Sequence, residues 1–319
     1  MSEFGKHPID AVITWVDGED DSHQKKILPY LEDKNGLKNI AFSKRTYQVE
    51  EIKFTVDSII KFAAFIRKIY IVTDNQTPLF LKSKENMEVY KNVIIVDHKA
   101  IFKEKESFLP VFNCRPIETR LYTIPNLSEH FIYFNDDMFL IKETKPSDFF
   151  VNGFPVLRGK WLTFNENIFY KRMFTNERKK KKAGHRKAQE RGAKIVGFKK
   201  CFKFHHTPYP LRKSTFINFF KENQEIETLN IKYRFRNFNQ FTPQGLANHL
   251  EIKSNTFVLK NDYQLVYFQN YKKPFRWLKF KLNSSLKNKN KLFLCMQSLN
   301  ESPKNKLDYI KDWLHKRYD

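Results

Sequence analysis

The chain has 319 residues, with 58 Lys and Arg against 35 Asp and Glu, for a formal net charge of +23. That length supports a packed core in one large domain or two modest ones, and that charge calls for an anionic partner such as a membrane surface, a charged polymer, a phosphorylated substrate or nucleic acid. No apolar run approaches the roughly 18 residues that span a bilayer, residues 1–10 lack a signal-peptide core, and Cys114, Cys201 and Cys295 are too scattered for a disulfide framework or a zinc knuckle, so a cytoplasmic protein is expected.

The first element is the apolar run Ile9 to Val16, a strand that stops at Asp17-Gly18-Glu19-Asp20-Asp21. Such a loop suits a first nucleotide-binding turn, and its acids suit equally well the N-terminus of a helix that begins near Ser22. Between Val49 and Ile66, apolar positions 52, 56, 59, 60, 63 and 65 keep helical spacing, and Ile69 to Thr73 then reads as a strand. Val93 to Val96 is another strand, ending at Asp97-His98. Helices alternating with strands predict a mostly parallel sheet flanked by helices. His98 either touches substrate or is merely structural.

The segment Leu109-Pro110-Val111-Phe112-Asn113-Cys114-Arg115 precedes a predicted helix containing Glu118. Arg115 either clamps a diphosphate with its planar guanidinium or pairs with Glu118. Then comes the stretch that organises the rest: the buried strand Phe131 to Phe134 halts at Asn135-Asp136-Asp137. Strand carboxyl ends face the ligand crevice of an open α/β sheet, so two adjacent acids there can hold a divalent cation against a phosphorylated substrate. The other reading is a solvated turn, which Asn and Asp favour through local hydrogen bonds.

Residues 176–194 crowd together nine Lys and Arg, among them Arg178, Arg186, Arg191 and Lys194. This block is either a solvated loop or helix, or a docking strip for an acidic acceptor or anionic lipid. In Phe204-His205-His206-Thr207-Pro208-Tyr209-Pro210, the two prolines hold the backbone extended around a histidine pair, so a rigidly placed imidazole is available as a general base. Adjacent histidines on extended chain point to opposite sides and do not share one ion. If Lys232 to Asn237 is a strand, Arg234 and Arg236 share a face suited to phosphate. Leu292 to Met296 reads as a short strand, and Leu307, Ile310 and Leu314 as one face of a closing helix.

In this order the pieces resemble the Stealth family of sugar-phosphate transferases. The resemblance rests on Ile9-Asp10-Ala11-Val12-Ile13-Thr14-Trp15-Val16-Asp17-Gly18, and on Ile69 to Pro78, Val96-Asp97-His98, Leu109 to Asn113, Ile117-Glu118 and Leu127 to Phe139. It continues in His206 to Leu211 and Tyr233-Arg234-Phe235-Arg236, so it covers most of residues 9–250. The chain departs from the family at Arg45-Thr46-Tyr47-Gln48 before Glu51-Ile52, at Asp57, and at Cys295-Met296-Gln297-Ser298, where the family usually carries Cys-Ile-Asn-Asp.

The resemblance implies an α/β, GT-A-like fold with a nucleotide-sugar-binding sheet, an inserted basic segment and a helical C-terminal part. Residues 1–270 would form the catalytic domain and 271–319 a basic extension packed on it. It also implies transfer of a sugar-1-phosphate from a UDP-sugar to a hydroxyl of a glycan or lipid-linked oligosaccharide, with release of UMP, in capsular or cell-surface polysaccharide synthesis. Asp136 and Asp137 would hold Mg²⁺ or Mn²⁺ with Asn135 in support. His206 would be the base and Arg236 the phosphoryl clamp, with Arg234 as a second guanidinium. Trp15, Asp17 and Gly18 would line the nucleotide pocket, assisted by Arg115. Other polysaccharide-synthesis enzymes and peripheral contact with an anionic membrane are expected partners. The rival readings are a metal-dependent glycosyltransferase that releases UDP and a basic nucleic-acid binder. The second lacks any paired Cys/His finger, ribonucleoprotein aromatic motif or basic zipper in the sequence.

Overall fold

The computed structural model describes residues 7–31, 49–169 and 184–318. Arg45 to Gln48, and residues 176–183 of the basic block, lie outside the described residues. In chain order β1 (Ile9–Thr14) leads to α1 (Asp21–Ile27), α2 (Glu51–Phe62), β2 (Ile66–Thr73), β3 (Val93–Asp97), α3 (His98–Ile101), α4 (Cys114–Arg120), β4 (His130–Asn135) and β5 (Met138–Leu140). Next come β6 (Phe150–Val151), β7 (Phe154–Leu157), β8 (Gly159–Thr163), α5 (His185–Ile195), β9 (Lys200–Phe204), β10 (Tyr209–Arg212), α6 (Lys213–Glu222), α7 (Gln224–Ile231) and α8 (Pro243–Lys253). The chain closes with β11 (Val258–Leu259), β12 (Leu265–Phe268), α9 (Phe275–Lys287), β13 (Phe293–Met296) and α10 (Lys304–Tyr318).

The central sheet runs β10-β4-β1-β2-β3, parallel except for β10, which is antiparallel to β4. Helices cover the sheet, so β1 and β4 are buried along nearly their whole length and read as continuous apolar runs. Because β1 has β2 on one side and β4 on the other, the crevice outside their carboxyl ends is a topological switch point. Thr14 stands opposite Asn135 in that register, which sets the Trp15–Gly18 loop beside Asn135-Asp136-Asp137.

Asp10 shows why one acid sits inside β1. It is fully buried, takes both Nε and Nη2 of Arg67 at 2.9 and 2.6 Å, and accepts from Ser128 N at 2.7 Å. The carboxylate therefore ties β1 to β2 and to the turn before β4.

The remaining ladders bring distant segments to the same edge. β8 pairs antiparallel with β9, and Gly159 allows the close approach, since a Cβ there would lie 2.5 Å from Lys203 O. That hairpin delivers His206. β5 is the edge of a three-stranded sheet with β13 and β12, built over a second core of Phe139, Val266, Leu282, Leu294, Ile310 and Leu314. β13 and α10 lie beyond residue 270, and β13 pairs with both β12 and β5.

Two local expectations change. Residues 232–237 form no strand: Phe112 N donates to Arg234 O at 2.7 Å and Asn113 Nδ2 to Tyr233 O at 3.0 Å, so these carbonyls anchor a loop. The described part of the basic block is α5, whose Ala188, Gln189, Glu190, Gly192 and Ala193 are buried, so it is only half a solvated element.

Candidate active site

The site is assembled at the carboxyl end of β4. Asp137, His206 and Cys295 each place one ligand-capable atom within 4.8 Å of the others. They arrive from three places: the turn after β4, the segment after β9, and β13. Met296 N donates to Asp137 O at 3.1 Å, locking β13 to that turn. Asp137 Oδ1 is buried without a hydrogen-bond partner, an orphaned acceptor on a residue of the cluster. Burial pushes the Asp137 carboxyl up to about 6, against the stabilising thiol of Cys295. Cys295 is itself buried and pushed well above an ordinary thiol by burial and by Asp137, so it is a protonated neighbour.

Asp136 is half-buried, and its carbonyl accepts from Thr55 Oγ1 at 2.7 Å. Beside it stands Glu51, the first residue of α2, which burial and Asp136 raise to about 7. Glu51, Asp136 and Asp137 lie close enough together for the two aspartates to raise the Glu51 carboxyl, and a group of oxygen donors at that spacing fits a divalent metal. Oxygen donors suit Mg²⁺ or Mn²⁺, and Asp136 with Asp137 would supply them.

His206 is held by Tyr209, whose hydroxyl lies 2.7 Å from Nδ1. Burial lowers its pKa to about 4, with Glu118 opposing, so the ring is neutral at pH 7 and can accept a proton. His205 packs on Tyr263 at 4.8 Å, whereas His206 faces Tyr209 and Tyr267. The alternation of the extended chain thus gives the pair different neighbours.

A second group of charges adjoins the first through α4. Thr14 Oγ1, Tyr133 Oη and Glu118 Oε1 form a chain of 2.9 Å contacts from β1 through β4 to α4. Arg236 Nη2 reaches Cys114 Sγ at 3.5 Å, one helical turn before Glu118, and Cys114 with Glu118 raises the guanidinium pKa. Arg115 is buried and donates to Asn237 O at 3.0 Å and Gly184 O at 3.4 Å, tying the Arg236 loop to the start of α5. There His185, which burial, His206 and the two arginines lower to about 4, stacks edge-on to His206 at 6.3 Å.

The other expected residues sit around this centre. Asp17 is clasped by Gln76, which accepts from Asp17 N at 2.9 Å and donates to Asp17 O at 2.8 Å. Gly18 and Trp15 are buried, and Trp15 Nε1 has no partner. Arg234 is placed apart from Arg236: its guanidinium covers the Tyr30 ring at 4.7 Å. The residues that sequence reasoning passed over are Glu51, Glu118 as a site residue, His185, Tyr209, Tyr267 and Cys295. Glu118 and Cys114 were legible as an i,i+4 pair on one helix face. His185 gave no signal within the basic block.

Two family models match the chain, Stealth protein CR1, conserved region 1, over residues 7–34 and Stealth protein CR2, conserved region 2, over residues 45–157. The receptor polysaccharide phosphotransferase WefC of Streptococcus gordonii is 33% identical over 280 residues, 79% of this chain and 80% of that protein. The capsular polysaccharide phosphotransferase fcs1 of Haemophilus influenzae is 43% identical over 147 residues, 45% of this chain and 38% of that protein. Among solved structures, mouse xyloside xylosyltransferase 1 aligns over 92% of this chain and 99% of its own, with TM-score 0.44 and 9% identity, a likeness too distant to argue from.

Proposed function

The chain belongs to the Stealth family, and from that membership we propose that it is a phosphotransferase of polysaccharide synthesis that moves a sugar-1-phosphate from a UDP-sugar to a hydroxyl of a glycan acceptor. The observation that carries this reading is the meeting of Asp137 and His206, a carboxylate with an orphaned oxygen and a neutral imidazole, within 4.8 Å at the switch point of the sheet.

In the proposed reaction Nδ1 of His206 keeps its proton and donates it to Tyr209 Oη, so Nε2 carries the free lone pair and takes the acceptor's proton. The acceptor oxygen forms a bond to the β-phosphorus of the donor. The bond from that phosphorus to the bridging oxygen breaks, and UMP leaves with the electron pair. Arg236, beside Glu118, supports the charge on the equatorial phosphoryl oxygens. Asp136 and Asp137 would hold a divalent ion, which when bound neutralises diphosphate charge. Trp15, Asp17 and Gly18, in the loop pinned by Gln76, line the donor side, with Asn135 opposite Thr14. Arg115 acts by positioning the Arg236 loop, and Arg234 steadies its far end against Tyr30.

The acceptor is a growing glycan or lipid-linked oligosaccharide that other polysaccharide-synthesis enzymes supply. A panel of UDP-sugars incubated with Mg²⁺ and acceptor tests the reading by the nucleotide released. UMP is expected, and UDP with a glycosidic product would make the protein a glycosyltransferase instead.

A further inference from the structure

We propose that the solvent face of α9 docks the protein on an anionic phospholipid surface. α9 buries Leu278, Leu282 and Ser285 against the second core and turns Trp277 and Phe280 outward, 39% and 72% exposed. Between Asp262 and Glu301 the sequence has eight Lys and Arg and no acidic residue. Among the described residues none of these cations is paired with a carboxylate. An aromatic residue left in water on a helix whose charged residues are all cationic is the pattern of an interfacial helix, in which rings enter the headgroup layer and ammonium and guanidinium groups meet lipid phosphates. A soluble polyanion would account for the charges and leave Phe280 in water.

The adjoining surface has the same character. A cleft of about 470 Å³ beside α9 is lined by Lys281, Ser284, Asn288, Lys291, Tyr263 and Tyr267. Lys281 donates to Tyr267 O at 2.5 Å and Lys291 to Tyr263 O at 2.6 Å. Burial, and for Lys281 the charge of Lys291, hold both ammonium groups below the usual lysine range, and a phosphate in the cleft would relieve that repulsion. Tyr267 faces His206 at 6.0 Å on its other side, so this face borders the site. Docking there would bring the site to acceptors held at a membrane. No helix among the described residues is long and apolar enough to cross a membrane, and the contact proposed is peripheral.

Vesicle binding needs neither donor nor acceptor, so it is read independently of the phosphotransfer reaction. The full chain is sedimented with vesicles of phosphatidylcholine alone and of phosphatidylcholine mixed with phosphatidylglycerol. Binding to the mixed vesicles should be at least tenfold tighter and fall with salt. Arg276→Gln with Lys287→Gln should weaken it roughly fivefold for each cation removed, and Phe280→Ser about tenfold. The matched pair Lys199→Gln and Lys200→Gln, on exposed residues elsewhere, should leave it unchanged. Equal binding to both vesicles, absence of binding to either, equal loss in the control pair, or wild-type binding by Phe280→Ser would each overturn the proposal. The lipid and salt dependence of the unmutated chain decides the matter if a variant fails to fold.

Discussion

Nδ1 of His206 lies 2.7 Å from the phenolic oxygen of Tyr209, three residues on and inside β10. The tyrosine is buried and its pKa is held well above the ordinary phenol range by burial, so it remains a neutral partner that orients the ring. His206→Ala should lower kcat roughly 10²–10⁴-fold, the usual span of general-base catalysis. Tyr209→Phe should cost about tenfold in kcat with little change in KM, measured by initial rates, because it loosens the base without removing a donor contact. A large rise in KM alone would reassign the pair to binding.

With Asp137 as the proposed cation ligand, cation binding should be sensitive to pH. Its folded pKa is raised to about 6, so below pH 6 a proton increasingly competes for the carboxylate that a metal needs. Apparent Mn²⁺ affinity by calorimetry should be nearly flat from pH 8 to 7 and fall about tenfold per unit well below 6. Asp137→Asn should remove that dependence together with most of the affinity.

His98 opens α3 and is buried, and burial lowers its pKa to about 4 despite Asp74 and Asp97 nearby. Between pH 6.5 and 4 the unfolded chain binds the extra proton, so folding stability rises with pH through that window and is lost as pH falls. The full difference is about 3 kcal/mol from this group. Urea unfolding at pH 7 and pH 5 should show the loss, and His98→Asn should remove this group's share of it, leaving the share of the similarly lowered His185 and His206.

Asp10 belongs to the first motif by which the chain resembles its family, yet its contacts are structural. Asp10→Ala should destabilise the fold by about 2–3 kcal/mol, because it frees a buried backbone N–H at Ser128 and unpairs Arg67. Activity per folded molecule, normalised by circular dichroism, should hardly change.

The parallel core was readable because its central strands are buried on both faces and so appear as short apolar runs ending in polar residues: Ile9 to Thr14 and His130 to Asn135. The end of β4 was legible as a candidate site for the same reason. The Arg234–Arg236 strand was not, because the pairing that prevents it comes from Phe112 and Asn113, distant in sequence. Cys295 reaches Asp137 only because β13 pairs with β5. Glu51 and His185 likewise owe their shifted pKa values first to burial and then to tertiary neighbours, Asp136 for one and His206 with two arginines for the other. Period and propensity carry no trace of such meetings.

The fate of one phosphorus atom at the proposed Asp137–His206 site separates phosphotransfer from glycosyl transfer. A UDP-sugar labelled with ³²P at the β-phosphorus, incubated with the protein, Mg²⁺ and glycan acceptor, tests it most directly. The label is expected in the glycan, in a phosphodiester that phosphatase cannot remove, with His206→Ala leaving it in the donor. Label recovered in UDP beside an unlabelled, sugar-extended glycan would contradict the account.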